Sequence, residues 1–419
     1  MMSAPNEALT TADVDVLIVG AGFIGATLAI ALSGCGLRIA IVESRELQPD
    51  TGAAEDQDLR AIALSWSSRC IFESLDIWDR LSSRAYPLQR IHISDRGHFG
   101  AARLDAADQG VEALGYVAPA AFLGAVIHSR LRACEDVDVI TSATLSDVTV
   151  EQDQVRATVV TADASRPLSS RLLVVADGGS SGLREQLGFK IRTHDYQQAA
   201  IVTMVEVSDA RPHTAFERFS QSGPMAMLPF DEHRYGVVWT VERDRVDEVM
   251  ASSDEVFVQC LQHAFGFRLG RILRASGRSF YPLSQSQVES AVSARVVLAG
   301  SAAHTLHPIA GQGINLGFRD IAMLAEVLAA AMAAGQDIGN ASVLHEYARQ
   351  REVDYQFIST LTDGLARLFM NPARPVVDIR NLALLALDVT PPLRQAFCRR
   401  TIGLAGTVPR LVRGLGVTP

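Results

Sequence analysis

Residues Val14–Glu43 read VDVLIVGAGFIGATLAIALSGCGLRIAIVE. An apolar, β-branched strand, Val14 to Val19, runs into Gly20-Ala21-Gly22-Phe23-Ile24-Gly25. A helix of small residues follows (Ala26 to Leu32), and a second strand, Arg38 to Val42, ends at Glu43. This is the dinucleotide-binding fingerprint in its proper context. Gly20 makes the turn, Gly22 lets a pyrophosphate approach, Gly25 lets helix and strand pack closely, and an acid ~20 residues on takes a ribose hydroxyl. Val16 through Leu37 carries no charge and is long enough for a membrane span. Three glycines directly after a β-branched strand break any continuous helix there, so the span is rejected.

A second segment, Arg295–Asp320, reads RVVLAGSAAHTLHPIAGQGINLGFRD. Val296 to Leu298 is a buried strand broken at Gly300. A turn of small residues, Pro308 and Gly311-Gln312-Gly313 then lead into a helix running through Ala334. Glycines that open a helix bring backbone N–H groups close to a ligand, and the helix N-terminus favours negative charge. So many small residues suit backbone laid against something flat and electron-rich. Ser169 to Ala176 is another apolar strand, ending in Asp177-Gly178-Gly179. The strand ends at Glu43, Asp177 and Gly300 therefore converge on one edge, where open α/β sheets bind ligands. Asp177 also suits a turn or a helix N-cap.

Elsewhere, Arg60 to Trp78 reads as a helix entered from a polar loop, Gln48 to Leu59. Phe122 to Cys134 and Leu183 to Leu187 read as helices, and Ile91 to Leu104 and Thr203 to Val241 alternate as antiparallel sheet does. Ile379 to Leu387 and Phe397 to Leu415 read as apolar helices. At 419 residues the chain exceeds a single core. The pattern is α/β: a Rossmann-like nucleotide domain (1–78, 115–190, 276–350), interrupted by an antiparallel sheet domain (79–114, 191–275), with a helical C-terminal segment (351–419).

The net charge, 38 − 47 = −9, argues against a nucleic-acid binder. From Gly364 to Pro419, however, eight arginines meet only Asp378 and Asp388. A solvated or ion-paired surface is the ordinary reading; a dock for an anionic membrane or acidic partner is the sharper one. The five cysteines are widely separated, and Met1 to Asp13 is polar without an apolar signal core. These features predict a reducing, cytoplasmic compartment with no structural disulfide or zinc.

Taken together, Gly20-x-Gly22-x-x-Gly25 with Glu43, Asp177-Gly178, and Gly300-x-x-x-His304-x-x-x-Pro308-x-x-Gly311-x-Gly313 resemble the FAD-dependent aromatic monooxygenases of the para-hydroxybenzoate hydroxylase fold. Asp58-Leu-Arg60-Ala-Ile-Ala-Leu-Ser65, Ser94-Asp95-Arg96-Gly97-His98-Phe99-Gly100, Glu217-Arg218-Phe219 and Thr362-Asp363-Gly364-Leu365 narrow the likeness. They resemble the ubiquinone-biosynthesis hydroxylases, which act on polyprenylated phenols. The Ser94–Gly100 stretch is most similar to the branch acting on 2-octaprenyl-6-methoxyphenol. The likeness runs from about Asp15 to about Leu411.

The resemblance implies FAD in an extended pose. Gly20, Gly22 and Gly25 would hold the pyrophosphate, Glu43 the adenosine ribose, and Arg60 would lie near the flavin end. Asp177-Gly178 would serve both FAD and the nicotinamide donor. Pro308 would shape the loop against the ring, with Asn315 also among the cofactor residues, and the Gly311-Gln312-Gly313 amides would face the isoalloxazine. Oxygen would pass from a flavin C4a-hydroperoxide to the ring, so the protein's task is to position the phenol and exclude water. With no second G-x-G-x-x-G, NAD(P)H would dock transiently or a partner protein would deliver electrons. A quinone-biosynthesis assembly and a peripheral place at the inner membrane face are further implications.

Two positions depart from the family. Ser301 stands where Asp or Asn usually contacts the ribityl or phosphate portion, and Pro119-Ala120-Ala121 stands where relatives often carry Arg. Both predict weaker FAD retention, since a hydroxyl lacks a carboxylate's bidentate geometry. His304 is the candidate for catalytic proton transfer, against the alternative of a loop histidine tying down backbone. Two other readings stand beside the main one: a reductase, halogenase or oxidase of the same fold, and a flavin-poor scaffold subunit.

Overall fold

The computed structural model describes residues 12–49, 60–179 and 182–418. Most of the polar N-terminal stretch, most of the Gln48–Leu59 loop with Asp58, and Ser180-Ser181 lie outside the described residues.

Five parallel strands form the spine of the first sheet, in the order Val296–Leu298, Ser165–Val175, Val14–Val19, Ile39–Val42, Val137–Ile140. Parallel strands covered on both faces need near-continuous apolar sequence, and these have it. Val16 and Ile18 join the core formed with helices Phe23–Leu32, Ala120–Arg132 and Gln312–Ala333. Leu17 and Val19 face the other way, into a core shared with the hairpin Thr144–Val150 and Val155–Val160. The ladder continues one step beyond each strand end. Glu43 donates its N–H to the Ile140 carbonyl at 2.9 Å, Gly20 to Val42 at 2.8 Å, Ala176 to Val19 at 2.8 Å and Ala299 to Val175 at 2.9 Å. Four turns are thereby lined up along one edge.

The second sheet has eight strands, in the order His304–Thr305, Ile272–Val288, Ile191–Val207, Arg234–Glu242, Gly223–Pro229, Thr214–Ser220, Arg90–Asp95, Ala101–Asp105. One face packs on helix Asp254–Phe265 through Phe216, Tyr235 and Val237. The other meets Ala366 and Phe369 of helix Ala341–Met370 and Leu384 of helix Arg374–Val389. Strand Ile272–Val288 runs unbroken across the expected boundary at 275/276, and His304–Thr305 joins this sheet from within the cofactor segment.

Two local expectations are corrected. Ala61–Ser65 is a strand, not the start of a helix; it pairs antiparallel with Gly115–Pro119, and helix Trp66–Ser74 begins only after Ser65 caps it. A five-residue apolar run has no helical period of its own, and the distant partner decides it. Phe397 to Leu415 is not one helix. Helix Pro391–Thr401 ends at Thr401, and Gly403, at φ +83, and Pro409 prevent its continuation. Among the described residues no helix is long and apolar enough to cross a membrane.

The Ser94–Gly100 motif docks the C-terminal helices. The buried Asp95 carboxylate accepts from Arg380 Nε at 2.8 Å and Asn381 Nδ2 at 2.9 Å, while the Gly100 N–H donates to Asn381 Oδ1 at 2.7 Å. Arg380 also donates to the carbonyls of Leu368, Phe369 and Asn371 at the end of the preceding helix. Those carbonyls have no intrahelical partner, so the guanidinium serves as their cap.

Candidate active site

The four aligned turns border a cleft of about 740 Å³. Gly20, Gly22, Glu43, Asp177, Gly178, Gly300, Ser301, His304 and Gly313 all line it. Glu43 is fixed in place: its Oε2 accepts from the Ala21 N–H at 2.7 Å, and its Oε1 from the Arg45 N–H at 3.0 Å. A Cβ built on Gly22 meets no atom within 4 Å, whereas one on Gly25 falls 1.9 Å from the Gly20 carbonyl oxygen. Gly22 thus leaves an open cradle at the helix N-terminus, and Gly25 serves helix–strand contact. Asp177 forms the turn its sequence allowed, its Oδ1 accepting from the Gly179 N–H at 2.8 Å.

A second cavity of about 480 Å³, mostly apolar, shares Leu306, Gly313 and Ile314 with the cleft. Its other walls include Pro308–Asn315, the strand Ala61–Ser65, Glu217 and Phe219, and Ala383, Leu384 and Leu387 of the C-terminal helix. Ala310 and Gly311 have successive left-handed backbones, φ +57 and +58, which turn the chain into helix Gln312–Ala333. The Gln312 Oε1, buried, has no partner among the described residues.

Several expected residues have more particular roles here. Asn315 spends its whole hydrogen-bonding capacity within the protein: Nδ2 donates to the Ala63 and Gly311 carbonyls, and Oδ1 accepts from the Ser65 N–H and Ser68 Oγ. Its side chain clamps the loop to the neighbouring strand, and the residue also lines the second cavity. Arg60 is exposed and lines neither cavity, but its charge acts on Tyr281, a chamber residue. Ala121 is buried and also lines neither cavity. His128, which the sequence did not single out, buttresses the glycine loop: Nε2 donates to the Ala21 carbonyl at 2.7 Å, and Nδ1 accepts from the Gln48 N–H at 3.0 Å.

His304 sits in a buried charge chain. Its Nε2 lies 2.8 Å from Asp320 Oδ2, Arg351 Nε donates to Asp320 Oδ1 at 2.6 Å, and Asp354 bridges Arg351 to Arg319. Burial pushes the Asp320 carboxyl up, but Arg351 and His304 together outweigh it and hold it at about 2. A carboxylate lowered this way contributes stability above the ordinary carboxylate range and loses it as pH falls through about 2. The Asp320 carboxylate accepts from His304 Nε2, which anchors the loop, and Nδ1 has no partner among the described residues. His307, also buried, is pushed down to about 4 by burial and stays neutral at pH 7.

Fold and site together define a flavin-dinucleotide protein with an adjoining apolar chamber. The chain belongs to the FAD binding domain family, whose model matches residues 13–356. It is 35% identical over 409 residues to the ubiquinone hydroxylase UbiL of Rhodospirillum rubrum, covering 96% of this chain and 93% of that protein. It is 26% identical over 397 residues to the 3-demethoxyubiquinol 3-hydroxylase of Escherichia coli, covering 94% and 100%. The crystal structure of p-nitrophenol 4-monooxygenase from Pseudomonas putida superposes with a TM-score of 0.76 at 18% identity, covering 94% and 98%, which shows the shared fold.

The residues present fit FAD. The open cradle at Gly22 and the fixed Glu43 carboxylate, both lining the cleft, are placed for a polar, extended ligand. Ser301 lines the cleft on the turn Gly300–Ala302 and is exposed. Ser301→Asp is expected to bind FAD about tenfold more tightly, because charge-assisted hydrogen bonds are roughly twice as strong as neutral ones. Quenching of flavin fluorescence on titration checks this; unchanged or weaker binding would show that the serine costs nothing.

Proposed function

We propose that the chain is an FAD-dependent monooxygenase that hydroxylates the aromatic ring of a polyprenylated phenol in ubiquinone biosynthesis. The observation that carries this reading is the meeting of a dinucleotide cleft and an apolar chamber at Gly311–Gly313. Bound FAD, reduced by NAD(P)H or a partner protein, would supply the activated oxygen. The chain's own residues do the rest. The helix N-terminus at Gln312 offers backbone N–H groups to negative charge, and the apolar walls exclude water and hold the ring. The purified protein, given FAD, NADPH and a prenylated phenol, should yield a hydroxylated product. If the protein shows no flavin absorbance and added FAD does not raise its melting temperature, the scaffold reading replaces this one.

The substrate's apolar tail argues for a place at the membrane. Helix Arg374–Val389 lines the chamber with Ala383, Leu384 and Leu387, and on its outer side Ile379, Leu382 and Val389 are 65%, 57% and 65% exposed. Part of the C-terminal arginine excess is already paired within the protein: Arg380 binds Asp95, Arg394 binds Asp108 and Arg410 binds main-chain carbonyls. Arg374, on the same helix as the apolar stripe, remains exposed, as do Arg399 and Arg413. This supports docking on an anionic bilayer surface. Leu382→Asp should reduce sedimentation with anionic vesicles at low salt about tenfold, since it adds a like charge and removes an apolar contact. Wild-type protein that ignores such vesicles would contradict the docking.

A further inference from the structure

Glu217 is out of place unless it acts. Three residues lining the chamber carry ionisable groups, among the described residues: Glu217, Tyr281 and Arg380. Arg380 is spent on Asp95 and three carbonyls. Strand alternation turns Ala215, Glu217 and Phe219 toward the chamber, while Phe216 packs against Phe265 on the opposite face. Arg218 also points away, its guanidinium lying beside Gly266, with Arg268, Arg96 and Asp95 the charges that act on it. Across the sheet Glu217 stands in register with Ala226 and Ile93, both apolar chamber residues. No described Arg, Lys or His forms an ion pair with it, and the Ala310 N–H is the one group that favours its charged form against burial. Ala310 holds φ +57 in the loop that leads to Gly311–Gly313. A carboxylate without a counter-charge in an apolar wall is a cost to stability, and such exceptions mark functional positions.

We propose that Glu217 is the proton acceptor for the ring hydroxyl of the phenol bound in the chamber, an assignment that rests on the function proposed above. The phenol O–H bond breaks, an O–H bond forms on Glu217, and the electron pair stays on the phenolate oxygen; no oxidant or reductant takes part. The chamber holds a single negative charge before and after, moved from carboxylate to ring, so the apolar walls do not oppose the transfer. A ring carrying that charge is the more electron-rich target for oxygen. Burial raises the Glu217 carboxyl to about 7 against the Ala310 hydrogen bond, which poises it as a base near neutral pH.

The test uses 2-naphthol, which in water ionises well above pH 7 and whose ionised form absorbs at longer wavelength, bound to FAD-loaded protein. Wild type should bind it with a severalfold larger phenolate fraction at pH 7 than Glu217→Gln, with Glu217→Asp keeping most of the signal. The bound phenolate fraction of wild type should fall as pH drops below about 7, where Glu217 is protonated and cannot accept, and that limb should be missing in Glu217→Gln. Equal phenolate fractions in wild type and Glu217→Gln, or no saturable binding by wild type, overturn the proposal. Melting temperature and FAD affinity are measured on each variant; if Glu217→Gln fails to hold FAD, the wild-type pH limb and Glu217→Asp decide. A phenolate signal without hydroxylated product from a prenylated phenol would sink the proposed reaction but leave the proton acceptor standing.

Discussion

Gly22→Ala is expected to fold and melt like wild type while losing FAD affinity about 100-fold, or ~2.7 kcal/mol. Gly25→Ala, three residues on, is expected to yield little folded protein. The two glycines share a motif and differ in what a methyl group meets. At Gly22 the backbone, φ −65 and ψ −173, suits any residue, and the new Cβ touches nothing within 4 Å. The fold has no reason to object, and only a pyrophosphate laid against the loop would. At Gly25 the Cβ would fall 1.9 Å from the Gly20 carbonyl oxygen, a backbone atom that cannot swing aside. Overpacking ordinarily costs ~1–3 kcal/mol, and a clash with main chain belongs at or above the top of that range. Thermal melts and FAD titration of both variants distinguish the two roles. Equal behaviour of the pair would mean the cradle is misplaced.

Asp95→Asn should destabilise the protein by ~3–5 kcal/mol, the usual result of leaving a buried charge without its partner. Asp95 and Arg380 are each 2% exposed and 2.8 Å apart, and among the described residues no second carboxylate pairs with the guanidinium. The loss falls on the docking of helix Arg374–Val389, whose Ala383, Leu384 and Leu387 wall the chamber. Early proteolysis near Asn371–Ala373, together with a lower melting temperature and weaker phenol binding at unchanged FAD affinity, is the expected pattern. Pairing Asp95→Leu with Arg380→Met should recover part of the stability, because an apolar pair leaves no orphaned charge, while the three carbonyls capped by Arg380 stay unsatisfied. If Asp95→Asn melts within a degree of wild type, the ion pair is not what holds the helix.

The cofactor half of the site was legible in the sequence because its chemistry is local. A turn that needs glycine, a helix N-terminus and an acid at fixed spacing leave a signature within thirty residues, and the strand ends at Glu43, Asp177 and Gly300 followed from it. The remainder depends on contacts between distant residues. Asp95 and Arg380 are 285 positions apart, so the Ser94–Gly100 motif could be noticed but not explained before the helix was seen lying on it. Ala61–Ser65 became a strand through Gly115–Pro119, and a short apolar run cannot announce its partner. Asn315 sat in a motif of cofactor residues, yet four hydrogen bonds within the protein occupy it. Glu217 was visible only as one member of Glu217-Arg218-Phe219; what isolates it is the apolar company supplied by two neighbouring strands and a helix.

The most direct test of the account is to run the FAD-loaded protein with reductant and a prenylated phenol under isotopically labelled oxygen. The account predicts that the label appears in a new ring hydroxyl of the product. Product whose new oxygen comes from water, or reductant consumed with oxygen while the phenol stays unchanged, would contradict it.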